Sequence, residues 1–474
     1  MRHFVLLLLV SIMSLATQPS HAAVPHAHAR ALAAGYKAAF VCSDNFTAGQ
    51  TEAQIDADDL TGIYPEYAEL VKDLPAVIDR AAKTVSVAFD DRLPPRVAAW
   101  RPLLGCAQLP VGADPASAAM LPRLDLAAPD LAATDALAWP YGDAYATARL
   151  PRAKASALDK VVAAAFDGAT FGKGGATTAV IVLVDGHIVA ERYRGDFDRH
   201  TPQRTWSVAK SLTATLVGRA VALGKADVTA PANILEWRAP GDPRAAITVD
   251  QLLRMNSGLW TNGPGNRTDE VYLGGSTVPQ TAAAMPLEAA PGSRFRYANN
   301  DMLLAAYSLR TSLGGGALAF PFRELLWPLG MTRTTPETDH AGNYVLSSQV
   351  WMTARDLARL ALLYANDGVA AGKRLLPVGW VRSASTPSGA QPAPDTRSGV
   401  GYGAGLWLHG PADGLPAGAI AMEGNRGQYA FIVGGARLIV VRRGFDAAGA
   451  AFDGPAFVRA VVAALPGDAS AKPR

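Results

Sequence analysis

Cysteine is almost absent from this sequence: Cys42 and Cys106 are the only two thiols in 474 residues. Neither has a histidine or second cysteine at ligand spacing, so no zinc site, and no metal of any kind, is expected. An excess of charge of one sign is lacking too. The 44 Lys and Arg nearly cancel the 41 Asp and Glu, and no basic run tracks a phosphate backbone. A nucleic-acid partner is therefore not expected. No Walker-type or dinucleotide-type glycine motif stands in a strand–helix context, so no cofactor is expected either. Past the first residues, no apolar run reaches the roughly eighteen needed to span a membrane. With 49% hydrophobic and 18% charged residues, what remains is a globular chain rather than a disordered one.

The beginning of the chain is informative. Met1-Arg2-His3 is a positive start, Phe4 to Leu15 is apolar, and Ser20-His21-Ala22 offers a small-x-small cleavage pattern. Residues 1–22 therefore read as a signal peptide, with export to the periplasm or beyond and no membrane anchor after cleavage. In an exported chain, an even pair of cysteines predicts one disulfide, Cys42 to Cys106. Such a bridge would stabilise the fold by about 4 kcal/mol in the chain-entropy view. Two buried free thiols are the alternative.

Residues 23–150 read as an N-terminal appendage that ends in a Pro-punctuated connector from about Gln108 to Pro151. Residues 151–474 read as the main domain. Leu158, Val161, Val162, Ala165 and Phe166 share a helical face. The β-branched run Thr178 to Val184, the Asp185-Gly186 turn and Ile188 to Tyr193 then make a hairpin signal. A second hairpin is expected over Gln428 to Arg443, followed by a helix over Phe457 to Leu465. Between the hairpins the patterns are mostly helical. The expected class is α/β: an antiparallel sheet formed from both ends of the domain, flanked by helices, with a mostly helical subdomain inserted.

Three segments could carry chemistry. In Thr205-Trp206-Ser207-Val208-Ala209-Lys210, a serine and a lysine three apart share one face at a helix start. A desolvated lysine can take a serine proton, and a helix N-terminus favours a developing oxyanion. The plain alternative is a capping serine and a solvated lysine. Tyr297-Ala298-Asn299 follows a Pro-Gly loop; Tyr297 can shuttle a proton, or anchor the loop, and Asn299 can bind substrate or cap the next helix. Glu423-Gly424-Asn425-Arg426-Gly427-Gln428 precedes the last hairpin and reads either as a cleft edge or as an ordinary turn. On the loop from Thr261 to Pro291, Tyr272 can touch substrate or pack under the loop. No Gly-x-Ser-x-Gly elbow surrounds Ser207, although His200 is near in sequence.

In that order, Ser207-x-x-Lys210, Tyr297-x-Asn299 and a late glycine motif resemble the β-lactamase-related serine hydrolases. The closest likeness is to 6-aminohexanoate-dimer hydrolase-like and esterase members. Leu252 to Leu259, Leu326 to Met331 and Thr353 to Ala358 add to the likeness, which runs from about residue 155 to 465. The resemblance implies a β-lactamase/transpeptidase-like fold, Ser207 as acylated nucleophile, and Lys210 and Tyr297 in proton transfer. It implies an oxyanion hole from the backbone N–H groups of Ser207 and Gln428. Where β-lactamases and peptidases carry Lys or His, then Thr or Ser, then Gly to hold a substrate carboxylate, the expected counterpart here is Asn425-Arg426-Gly427. Arg426 would bind a carboxylate if it points into the cleft. The expected substrate is a small amide or ester. The alternatives are a β-lactam or D-alanyl peptide, or a non-catalytic ligand on the same scaffold.

Overall fold

A computed structural model describes residues 26–144, 148–261, 268–393, 399–434, 438–450 and 452–465; the expected signal peptide lies outside them. The described chain begins with helix His26–Phe46, whose small residues Ala31, Ala33, Ala34 and Ala38 are buried and allow close packing on a sheet. That sheet is an antiparallel meander of β1 (Ala76–Asp79), β2 (Thr84–Val87), β3 (Arg96–Arg101) and β4 (Gly105–Gln108). Cys42 on the helix and Cys106 on β4 form a disulfide, their Cα atoms 6.2 Å apart, so the free-thiol alternative falls away. The described part of the Pro-rich stretch holds a 3-10 turn, Pro115–Met120, and a one-turn helix, Leu131–Asp135.

The main sheet begins with β5 (Thr177–Val184), whose β-branched residues fit a strand buried along nearly its whole length. Asp185 and Gly186, both at positive φ, turn the chain into β6 (His187–Tyr193). Short strands follow: β7 (Gln203–Arg204), β8 (Thr335–Pro336) and β9 (Val350–Met352) form one small sheet, and β10 (Val369–Ala370) and β11 (Lys373–Arg374) form a ribbon. Then come β12 (Gly401–Tyr402), β13 (Trp407–Leu408), β14 (Ile420–Gly424), β15 (Gln428–Val433) and β16 (Leu438–Gly444). The large sheet runs β12-β13-β14-β15-β16-β5-β6, antiparallel throughout. Within it the domain's last strand pairs with its first long strand, Leu438 opposite Val184 and Arg443 opposite Ala179. The two ends of the domain thus meet in one sheet, as expected. Part of the second hairpin's turn, residues 435–437, lies outside the described residues.

Helices Arg152–Ala164 and Gly454–Ala464 pack on each other, and Ala354–Ala365 packs on β15 and β16. Helix Val208–Ala222 lies between Asn299–Leu313 and β14. It is buried on nearly all sides rather than along one stripe. Its threonines are satisfied internally, Thr213 donating to Leu346 O and Thr215 bonding the Tyr364 hydroxyl. Buried residues of the N-terminal segment and of the main sheet form one continuous core.

Candidate active site

Ser207 sits at the mouth of helix Val208–Ala222 because the residue before it breaks the strand sharply. Trp206 takes φ +49°, a left-handed conformation that costs a large side chain about 1–3 kcal/mol. Packing over-determines it: the Arg204 guanidinium lies 4.0 Å over the indole, and Phe40 and Tyr64 close in at 5.8 and 6.2 Å. Ser207 occupies the N-cap position but accepts no capping hydrogen bond, so the hydroxyl is not serving the helix end.

Lys210 is 1% exposed, and burial brings its ammonium down to about 7. Its Nζ lies 3.0 Å from Ser207 Oγ, 2.6 Å from Asn299 Oδ1 and 2.8 Å from Ser347 O. The last two oxygens can only accept. A neutral amine has two N–H bonds and one lone pair, so when both N–H groups serve those oxygens the lone pair is left for the Ser207 hydroxyl. This geometry suits a base acting on Ser207. Asn299 is the first residue of its helix and engages Lys210; the N-cap is Ala298, without a side-chain cap. The Tyr297 ring lies 5.0 Å from Lys210 Nζ, stacked on Trp407 at 5.2 Å and edge-on to Tyr402 at 5.8 Å.

The opposite wall requires a correction. A Cβ placed on Gly424 would lie 2.2 Å from Thr205 O and 3.2 Å from Ser207 N, so only glycine lets β14 approach the nucleophile this closely. On Gly427 it would strike Arg442 and Asp446 instead. The segment beside Ser207 is therefore Met422-Glu423-Gly424, three residues earlier than Asn425-Arg426-Gly427. The reason is the turn between β14 and β15, which sets Gly424 opposite Gln428 and carries Arg426 and Gly427 away. Arg426 is buried towards the N-terminal segment, donating to Asp58 O (2.7 Å), Thr61 O (2.8 Å) and Asp59 Oδ1 (3.3 Å). It does not reach the cleft, and Gly427 does not line it. Gln428, expected to give a backbone oxyanion donor, pairs with Gly424 at the start of β15 and does not line the cleft; its side chain bonds Arg443 and the Arg426 and Gly444 carbonyls. Asn425 does line it.

The cleft above Ser207 encloses ≈ 570 Å³. Tyr297, Asn299 and Tyr272 line it, and the Tyr272 hydroxyl bonds Ser347 Oγ, beside the carbonyl that receives Lys210. Sequence reasoning missed several contributors. Tyr64, Pro65 and Glu66 come from the N-terminal segment, and no local pattern marks them. Trp407 and Glu423 complete the wall. His409, which looks remote in sequence, puts Nε2 2.6 Å from Glu423 Oε1 and Nδ1 3.0 Å from Asp413 Oδ2; only the i,i+4 spacing of His409 and Asp413 hinted at a pair. His200 pairs with Asp143 at 3.0 Å, so its ring is engaged away from the Ser207 hydroxyl.

A sequence profile of the Beta-lactamase family matches residues 160–442, more than half of the chain. The curated 6-aminohexanoate-dimer hydrolase of Paenarthrobacter ureafaciens is 30% identical over 227 residues, 44% of this chain and 56% of that protein. The likeness thus spans about half that relative's length. Among solved structures, EstCE1, a hydrolase with promiscuous acyltransferase activity, superposes with a TM-score of 0.55 at 17% identity, over 66% of this chain and 99% of its own. A family VIII carboxylesterase gives 0.51 at 16%, over 68% and 99%. Identities this low speak for the fold alone. The profile match carries more: this chain belongs to the Beta-lactamase family of serine hydrolases.

Proposed function

We propose that this protein hydrolyses an ester or amide bond of a small substrate through an acyl-enzyme on Ser207. The Ser207 proton passes to Lys210, directly or by way of Tyr297, as Oγ attacks the carbonyl carbon. The oxyanion is held by the Ser207 N–H, with the N–H of Asn425, the residue just after β14, as the second donor. Collapse expels an alcohol or amine, which takes its proton from the Tyr297 hydroxyl; Lys210 then restores that proton. Water attacks the acyl-enzyme by the same steps in reverse and releases the acid.

The observation that carries this reading is the 3.0 Å approach of a buried lysine nitrogen, lowered to about 7, to Ser207 Oγ on the floor of a cleft. A fluorophosphonate probe is expected to label the wild type and not Ser207→Ala. A folded wild type left unlabelled at mildly alkaline pH would overturn the reading. β-Lactam and D-alanyl-peptide substrates are less well supported, because Met422-Glu423-Gly424 offers no cation or hydroxyl for their carboxylate. A purely binding role would leave a buried, desolvated lysine without a task. Export remains part of the proposal, in keeping with the Cys42–Cys106 bridge, since disulfides persist in oxidising compartments.

A further inference from the structure

Beside the cleft above Ser207 lies a second compartment of ≈ 560 Å³, about as large as the first at ≈ 570 Å³. Glu423 and Tyr429 line both. These two residues stand opposite each other on β14 and β15, so the compartments meet at a single cross-strand pair. The far wall of the second compartment comes from Thr170 and Phe171, before β5, and from Phe452 to Ala456 at the start of the last helix.

Among the described residues that line this compartment there is no Lys, Arg or His, and each polar side chain already has a partner. Glu423 meets His409 Nε2 at 2.6 Å, and Asp453 Oδ1 accepts from Ala456 N at 2.8 Å. The Thr170 hydroxyl donates to Asp167 Oδ2, and the Tyr429 hydroxyl donates to Phe452 O at 3.4 Å. The first turn of helix Gly454–Ala464 is closed in the same way: Gly454 N donates to Phe452 O, Phe457 N to Asp453 O, and Pro455 has no N–H to give. A ligand is therefore offered carbon surface, and much of it is ring. Tyr429 stacks on Phe452 at 6.3 Å with planes 30° apart, and Phe171 tilts against Phe452 at 5.9 Å. Phe452 is buried, packed on Phe457 at 5.6 Å and under the Arg442 guanidinium at 4.2 Å. Phe171 and Tyr429 are only half-buried, so each still presents ring surface. Rings fixed at such spacings form an array that one more ring extends, offset or edge-on at roughly 4.5–7 Å.

We propose that the second compartment is a substrate subsite for an aryl group, joined to the scissile ester or amide by a chain long enough to pass Glu423 and Tyr429. The proposal rests on the acyl-transfer reading above and names the substrate class of the same site: arylalkyl esters or amides, with the ring on either side of the scissile bond. A substrate confined to the first compartment leaves the faces of Phe171 and Tyr429 in water; an aryl group that reaches them removes that surface and adds a ring contact.

The test compares esters ending in phenyl with esters ending in methyl, on short and long chains, each rate taken relative to alkaline hydrolysis of the same ester. One series varies the acid of a nitrophenyl ester: phenylacetate against propionate, and 6-phenylhexanoate against heptanoate. The other varies the alcohol of a butyrate ester: benzyl against ethyl, and 5-phenylpentyl against hexyl. In one of the two series, phenyl is expected to raise kcat/KM over methyl on the order of tenfold on the long chain and little on the short one. Ala456→Trp and Thr170→Trp, which fill the compartment from the helix and from the segment before β5, should each bring the long-chain ratio, taken within the variant, close to one. The chain-length comparison needs no variant and decides the matter if neither folds. A phenyl effect as large on the short chain as on the long one, none in either series, or a long-chain ratio that survives in either folded variant would overturn the proposal. No turnover of any ester together with no fluorophosphonate label would instead overturn the acyl-transfer reading, and this proposal with it.

Discussion

Ser207 stands between two walls that hold their polar groups in different ways. On the helical side, Lys210 sits among neutral acceptors, and burial alone pulls its nitrogen towards the uncharged form. On the sheet side, Glu423 meets a histidine that also meets Asp413, so its carboxylate is held in a chain of polar contacts. Desolvation suits a group that must accept a proton; a chain of polar contacts suits a wall that must keep its shape. On the proposed mechanism, the base belongs to the first wall and the frame of the cleft to the second.

The largest effects should come from the helical wall. Ser207→Ala and Lys210→Met are each expected to lower kcat by about four orders of magnitude or more, because nucleophile and base act as a unit. The double variant should be little worse than either single one. A Lys210→Met enzyme retaining a tenth of its turnover would assign the base elsewhere and break the contrast. Next comes the line where the walls touch. Gly424→Ala puts a methyl 2.2 Å from Thr205 O and 3.2 Å from Ser207 N, where backbone must give way. A loss of about 10²-fold in kcat is expected, comparable to losing one oxyanion donor, with KM less affected. Unchanged kcat would mean that β14 does not set the nucleophile's surroundings.

How much of this was legible beforehand follows the same divide. Ser207 and Lys210 are three apart on one helix, so the local period alone brought them together. The hairpins read correctly because Asp185-Gly186 and β-branched runs carry their signal within a few residues. Glu423, His409 and Asp413 meet through strand pairing and a loop, where no local period operates, and the glycine motif was read three residues too late because two glycines, Gly424 and Gly427, flank one turn. Only the close approach to Thr205 O tells them apart. The contribution of Tyr64 and Glu66 depends on docking between segments more than 140 residues apart in sequence, with Tyr64 against Trp206.

Arg426 sharpens the contrast from outside the cleft. It joins β14–β15 to the N-terminal segment through Asp59, whose carboxylate is fully buried. Arg426→Ala leaves that carboxylate without its cation and should cost about 3 kcal/mol in denaturant unfolding. Turnover by the folded protein should stay as in the wild type. A lower turnover would show that the guanidinium field reaches the cleft despite its burial.

The smallest expected effect is graded and concerns protons. The Lys210 nitrogen, at about 7, acts as a base only when neutral, so kcat/KM should fall about tenfold per unit below pH 7 and level off above it. Stability has the opposite cause and the same sign. The unfolded chain holds the lysine proton up to 10.5, the folded chain only to about 7, so the unfolded state binds more protons across that window. The lysine's contribution therefore makes the fold more stable as pH rises from 7 to 10.5, by about 1 kcal/mol per unit. Lys210→Met should remove that slope. Glu423→Gln should leave the acid limb in place, since on the proposed mechanism its carboxylate does not take the serine proton. A limb that moves with Glu423→Gln would mean that the two walls share one proton network, and the base could no longer be assigned to one side of Ser207.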